Sequence, residues 1–391
     1  MSRDTYQRFL ETFATLSGRY WRSMRDRLSR RQLNRALLAR QLLLERADLP
    51  AVAAVEHLVG LQAQAPLAPY VALWSRLSPF DPIAVGDALA AGRLVRTHAM
   101  RATVHLFSRR DALTLRALMQ PMLATRFGSS PFPKQLPGLD VAEVCRHARD
   151  LATDTPLSRV ELGRRLALRF PGYPEAALAY AVTYLEPMVQ VPPRGVWGLN
   201  GPVRWQTFRG WIGAEADQPA RVEDVVVRYL AAFGPASVPD IRVWSGLPAL
   251  REVVDRLHPR LRVFHDQDGR EVYDLPDAPR PDPDTPAPIR FLPEYDNVLL
   301  SHADRSRVIP DGRSVPLPPG EGARTGTVLV DGEFRATWEL TSEQGTPVLT
   351  VQAHPQLSAA ELEMGTEEGR NMVAFLRPHS ATSSAVRISG R

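Results

Sequence analysis

Two glutamines flank a single alanine in Gln62-Ala63-Gln64, with Gly60-Leu61 before them and Ala65-Pro66-Leu67 after. Residues i and i+2 share a face only on an extended backbone, because on a helix they diverge by about 200°. Pro66 biases Ala65 away from the helical region, so a helix ending near Gln62 and an extended step after it turn both amides to one side. Amides are neutral donors and acceptors and make poor general bases. Two amide oxygens can nevertheless hold a water and face a developing positive charge. That help suffices only where the bond to be broken is already weak, as when a cationic leaving group departs neutral. Capping of a helix end, or contact with backbone groups, is the alternative use of the same pair, and the sequence leaves it open.

Arg101, Thr103 and His105 alternate with Ala102, Val104 and Leu106, so on an extended chain the polar three share a face. Arg96 and His98 continue that pattern. Such a face suits phosphate or sugar contacts, or else a structural network in which His105 bonds a backbone carbonyl. Arg194, in Pro193-Arg194-Gly195, and Arg305 and Arg307 are further phosphate candidates. His302 and Asp304 are too few ligands for a metal, and the one cysteine, Cys145, allows neither an internal disulfide nor a cysteine zinc site. No metal or cofactor is expected. Phosphate-loop, nucleophile-elbow and zinc-deaminase signatures are missing. Of 48 basic side chains only Lys134 is a lysine, and it lies in a Pro-rich loop, a poor setting for a desolvated amine nucleophile.

The elements that must position these groups follow a repeated order of short helices and then a short strand pair. Ser29 with Gln32 caps a first helix carrying Leu33, Leu37 and Leu38. Pro50 opens a second reaching about Leu61, a third covers Pro82 to Ala91, and an extended stretch runs from Leu94 to Phe107. Ser158 with Glu161 caps a further helix, Pro174 opens another through Leu185, and a strand and turn follow from Val189 to Gly198. Helices then cover Val222–Ala232, Ser237–Trp244 and Leu247–Leu257, ahead of strands at Arg260–His265 and Glu271–Leu275 joined through Asp268-Gly269. Three helices and a hairpin make the winged-helix variant of helix-turn-helix. The 391 residues thus divide into a basic extension (1–28), modules at 29–130, 131–218 and 219–276, a Pro-rich linker (277–288), a β-rich region (289–376) and a flexible tail (377–391). The net charge of +5 and isoelectric point near 9.6 suit a polyanionic partner. No apolar run is long enough to span a membrane and no cleavable leader is evident, so a cytoplasmic protein without membrane association is expected.

The chain resembles the AlkZ-type family of winged-helix DNA glycosylases, related to the YcaQ proteins. The resemblance spans about Leu28 to Leu376. It rests on Gly60-Leu61-Gln62-Ala63-Gln64-Ala65-Pro66, on Arg101-Ala102-Thr103-Val104-His105-Leu106, on Pro193-Arg194-Gly195-Val196-Trp197-Gly198 and on Leu292-Pro293-Glu294-Tyr295-Asp296-Asn297. It implies an α+β fold of three tandem winged-helix modules in a C-shaped arrangement around DNA, with a β-rich C-terminal region. It also implies that Gln62 and Gln64 form a catalytic Gln-x-Gln motif, where other relatives carry Gln-x-Asp. The expected activity is monofunctional removal of N7-alkylated purines from double-stranded DNA, bulky adducts and interstrand crosslinks included, by a monomer, in self-resistance or repair. The lesion is expected in an open channel, reached without full extrusion. The competing expectation is a winged-helix regulator that binds DNA without catalysis.

Overall fold

The computed structural model describes residues 26–313, 325–378 and 384–390, so most of the expected basic extension lies outside the described residues. Capping boxes open helices where the sequence places them. At α1 (Arg30–Arg40) the Ser29 hydroxyl accepts from Gln32 N while the Gln32 side chain accepts from Ser29 N. Helix α2 (Ala51–His57) stops earlier than expected, because Val59 and Gly60 take φ of 54° and 89°. A two-residue strand, β1 (Leu61–Gln62), starts there. Only glycine fits at position 60: a Cβ would lie 2.2 Å from the Phe107 ring. Helix α3 (Ala68–Trp74) follows with Pro69 in its first turn, and Asp81 caps α4 (Pro82–Ala90).

The stretch expected to run extended from Leu94 to Phe107 is instead a hairpin of β2 (Leu94–His98) and β3 (Val104–Ser108). It reverses where Arg101 and Ala102 take φ of 56° and 57°. Neither position holds the glycine or asparagine that would have marked such a turn. Arg101 therefore sits at the hairpin tip and does not share a strand face with His105.

Helices α5 (Arg109–Leu118), α6 (Gln120–Gly128), α7 (Val141–Thr153), α8 (Arg159–Arg169) and α9 (Glu175–Leu185) come next. Strand β4 (Met188–Gln190) pairs with β2, and β5 (Trp205–Thr207) pairs with β4. Strands of the first two expected modules thus share one sheet, ordered β1-β3-β2-β4-β5. After α10 (Phe208–Ile212), helices α11 (Val222–Phe233), α12 (Val238–Ser245) and α13 (Leu250–Leu257) lead into a separate hairpin, β6 (Arg262–His265) and β7 (Glu271–Asp274).

The C-terminal part contains β8 (Arg290–Pro293), α14 (Asn297–Leu300), β9 (Thr325–Val330), β10 (Glu333–Glu343), β11 (Thr346–Ala353), α15 (Ala359–Leu376) and β12 (Ala385–Gly390). Its sheet runs β12-β11-β10-β9-β8. The flexible tail expected at 377–391 is corrected over Ala385–Gly390, which pairs in parallel with β11. Val386 and Ile388 pack on the core between this sheet and α15, and Arg387 holds Glu343 at 2.7 and 2.9 Å.

Buried ion pairs bind the parts together. Arg40 grips Asp274 at 2.7 and 2.9 Å, joining α1 to the end of β7. Arg76, just past α3, grips Asp296 at 2.9 and 2.8 Å with both side chains buried. Asn297 donates to Gly60 O at 2.8 Å, which anchors the segment between β8 and α14 beside the entry to β1. Removing one partner of such a pair strands a buried charge. Asp296→Ala is expected to lower the unfolding free energy by about 3–5 kcal/mol in urea titration. Arg76→Met with Asp296→Leu should recover most of that loss; equal losses in the single and double variants would contradict this account.

Candidate active site

The pairing of β1 with β3 places Gln62 opposite His105 and then breaks off. Ala63 N still donates to Val104 O at 2.8 Å. Ala63 O, however, accepts from Arg96 Nη2 at 2.8 Å, and Val104 N donates to the Gln64 Oε1 at 3.3 Å. Arg96 is buried on β2 and also reaches Gln190 Oε1 at 3.2 Å; burial, then the Arg194 charge, pull its pKa down to about 10. Ala63 and Ala65 are fully buried, whereas Gln64 is exposed and Gln62 keeps 7% exposure. The alanines pack inward while Gln64 stays exposed where the chain bends just past β1.

Gln62 Oε1 accepts from Arg101 Nη2 at 2.9 Å, and the same nitrogen lies 3.3 Å from His105 Nε2. His105 Nδ1 donates to Thr103 O at 3.0 Å, which leaves Nε2 as the acceptor. Burial, then the Arg101 charge, push His105 down to about 3, so the ring is neutral at physiological pH. Arg101 Nη1 donates to Trp244 O at 3.2 Å, at the end of α12. All three of these partners are uncharged. Burial first, and the nearby exposed Arg305 second, lower Arg101 to about 10. The site is therefore a set of neutral oxygens and an imidazole around cations, suited to holding water and anions.

The remaining expected contacts divide by exposure. His98 is buried, bonded through Nδ1 to Thr183 O at 2.9 Å and stacked against Tyr184 and Trp205; burial pushes it down to about 4. Arg307 is buried and donates to Pro235 O at 2.8 Å. For Arg96, His98, His105 and Arg307, protein partners replace the phosphate contacts expected from the sequence, because their polar atoms are turned inward. Thr103 donates to Met100 O at 3.2 Å within the hairpin tip, and Arg194 reaches Gly201 O at 3.4 Å within its own loop. Both stay partly exposed, and Arg305 is fully so.

Glu294 has no role in the sequence reading. It is 3% exposed, its Oε1 has no hydrogen-bond partner, and burial pushes its carboxyl up to about 7. Tyr295 beside it takes φ of 59°, and Asn297 is the residue bonded to Gly60 O, so Glu294 lies in the segment anchored next to the glutamine strand. An acidic residue directly after the apolar Phe291-Leu292-Pro293 was the only sign of it. Asp266, Asp268 and Asp304 bring oxygens within 4.8 Å of one another. Arg270 already bonds all three, at 2.8, 2.7 and 2.5 Å, and so meets their charge. His302 turns away from this cluster to Phe233 O.

Comparison with known proteins adds to this geometry. A family model described as DNA glycosylase AlkZ-like matches residues 55–375. The chain is 27% identical over 333 residues to an interstrand DNA cross-link repair glycosylase of Streptomyces sahachiroi, across 78% of this chain and 86% of that protein. Its fold is similar to the solved structure of the Streptomyces sahachiroi DNA glycosylase AlkZ, with a TM-score of 0.65 at 22% identity, covering 93% of this chain and 100% of that one.

Glu294 supplies a pH test. Its folded pKa of about 7 lies above the ordinary 4.5, so it favours the folded state below pH 4.5 and that contribution is lost as pH rises through 7. Glu294→Gln is expected to match wild type near pH 4.5 and to exceed it by pH 8, by on the order of 3 kcal/mol at most. A difference that does not vary with pH would mean the carboxyl is ordinary.

Proposed function

The chain belongs to the AlkZ-like DNA glycosylase family, and from that premise we propose that it hydrolyses the N-glycosidic bond of N7-alkylated purines in double-stranded DNA. Alkylation at N7 makes the purine a cation, so it departs neutral and the sugar passes through an oxocarbenium-like state. Gln62 and Gln64 hold the attacking water and face that charge with their amide oxygens. The observation that carries this reading is the broken end of the β1–β3 ladder, where the Gln64 amide takes the place of a backbone acceptor on Val104 N and stays exposed two residues from Gln62. Arg101, Arg194, Arg305 and Thr103 are the proposed phosphate contacts, while Arg96 and His105 hold the glutamine strand and the hairpin tip. An exposed Gln64 favours an open channel in which bulky adducts and interstrand crosslinks are reached without full extrusion. The cross-link repair named for the Streptomyces relative agrees with that substrate class, and self-resistance to a DNA-alkylating product is its simplest setting.

The helix–hairpin units are read as three winged-helix modules in a C-shaped clamp, acting as a monomer in the cytoplasm. In the first two units the helices ahead of the hairpins, α4 (PIAVGDALA) and α9 (EAALAYAVTYL), carry no lysine or arginine. A regulator reading base edges with those helices would place basic residues there. Their absence favours the enzyme. Lys134 is exposed, with no buried setting to make it a nucleophile, so the product is an abasic site and an intact strand.

The test is release of N7-methylguanine from a methylated duplex. Gln62→Ala and Gln64→Ala should each lower the rate by about 10²-fold while duplex binding persists. Tight, salt-sensitive binding by wild type with no base release would instead establish the regulator. Wild type and Lys134→Ala should both leave the strand uncut; strand scission that disappears in Lys134→Ala would contradict the monofunctional reading.

A further inference from the structure

The arginine beside the catalytic pair is in an odd position for the reaction just proposed. Positive charge develops on the sugar, and the oxygen that should face it, Gln62 Oε1, already accepts from a guanidinium at 2.9 Å. Two like charges about 4 Å apart near a protein surface repel strongly enough to slow such a step by roughly 10³-fold. Among the described residues no carboxylate offsets this cation, since its bonded partners are Gln62 Oε1, His105 Nε2 and Trp244 O. The neighbouring charge that acts on it, Arg305, has the same sign and is exposed. His105 stays neutral and accepts from Arg101 without supplying any negative charge. Arg101 also sits on a tip where two successive non-glycine residues adopt left-handed φ of 56° and 57°, a backbone held in place by its contacts rather than preferred.

We infer that Arg101 is a positioning residue that couples Gln62 to a DNA phosphate. In the unbound protein its guanidinium occupies the Gln62 oxygen, and a backbone phosphate of the substrate, taken jointly by Arg101 and Arg305, neutralises and withdraws it. An anion between two arginines satisfies both charges, which three neutral acceptors cannot do. Hydrolysis is then enabled only on a substrate that carries phosphates, and a free alkylated nucleoside meets a site whose oxygen is blocked by a cation. No bond is made or broken by Arg101 itself. This inference rests on the glycosylase reading, but part of its test does not.

The experiment compares wild type, Arg101→Gln and Arg101→Lys on two substrates: a duplex with a single N7-methylguanine, and free 7-methyl-2′-deoxyguanosine. Arg101→Gln is expected to raise the protein concentration for half-saturation on the duplex about tenfold, and to flatten the salt dependence of duplex binding by about one ion. On the nucleoside, where no phosphate is present to displace the cation, Arg101→Gln should be faster than wild type by about tenfold to 10³-fold, while Arg101→Lys, which keeps the charge, should stay near the wild-type rate. Slower nucleoside hydrolysis in Arg101→Gln, or a salt dependence identical to wild type, would overturn the inference. If wild type releases no methylpurine from either substrate, the glycosylase reading falls. The salt dependence still judges the phosphate contact of Arg101 in that case.

Discussion

One backbone carbonyl, Ala63 O, fixes the geometry of the site. Had it continued the β1–β3 ladder, it would have accepted from Val104 N, and the Gln64 amide would have had no backbone donor beside it. Arg96, buried on the neighbouring strand, takes Ala63 O instead, and Gln64 fills the vacated position on Val104. An arginine so deeply placed is costly to desolvate, and it is held by oxygens alone, Ala63 O and Gln190 Oε1. The strand pairing of β2 with β4 brings Gln190 opposite Arg96. The glutamine strand is therefore pinned by both of the first two helix–hairpin units, which share one sheet.

Charge is sorted on the same principle. Buried acids are matched to arginines, Asp274 to Arg40, Asp296 to Arg76 and Asp266 to Arg270, and Arg270 also holds the exposed Asp268 and the half-buried Asp304. Around Gln62 the balance reverses: among the described residues no acid is matched to Arg101 or Arg305. Surplus cations beside neutral acceptors give a surface that attracts a polyanion yet offers no strong base. On the proposed reading, such a site assists a base that is already a cation and does little to an ordinary nucleotide. Glu294, whose Oε1 is buried without a hydrogen-bond partner among the described residues, lies in the segment anchored to Gly60, and burial raises its pKa.

Much of the scaffold was legible because its signals are local. The capping boxes at Ser29 and Ser158 and the hairpin through Asp268-Gly269 each follow from a few adjacent residues. What escaped the sequence was non-local. The hairpin tip at Arg101 and Ala102 uses left-handed residues without glycine, so an unbroken strand was the natural expectation. Arg96, His98 and Arg307 look like surface phosphate ligands until the sheet and the helices bury them. The order of β12 depends on Val386 and Ile388 meeting glycines of α15, which a short Ser- and Arg-rich tail does not disclose.

The central claim is that the site assists only a base that leaves already charged. Its most direct test is a paired measurement of base release from duplexes carrying one N7-methylguanine or one neutral lesion of similar size, such as hypoxanthine, at saturating protein. The account predicts measurable release of the cationic base and release of the neutral one lower by roughly 10³-fold or more, since two amides supply no acid to a poor leaving group. Comparable release of both bases would contradict it.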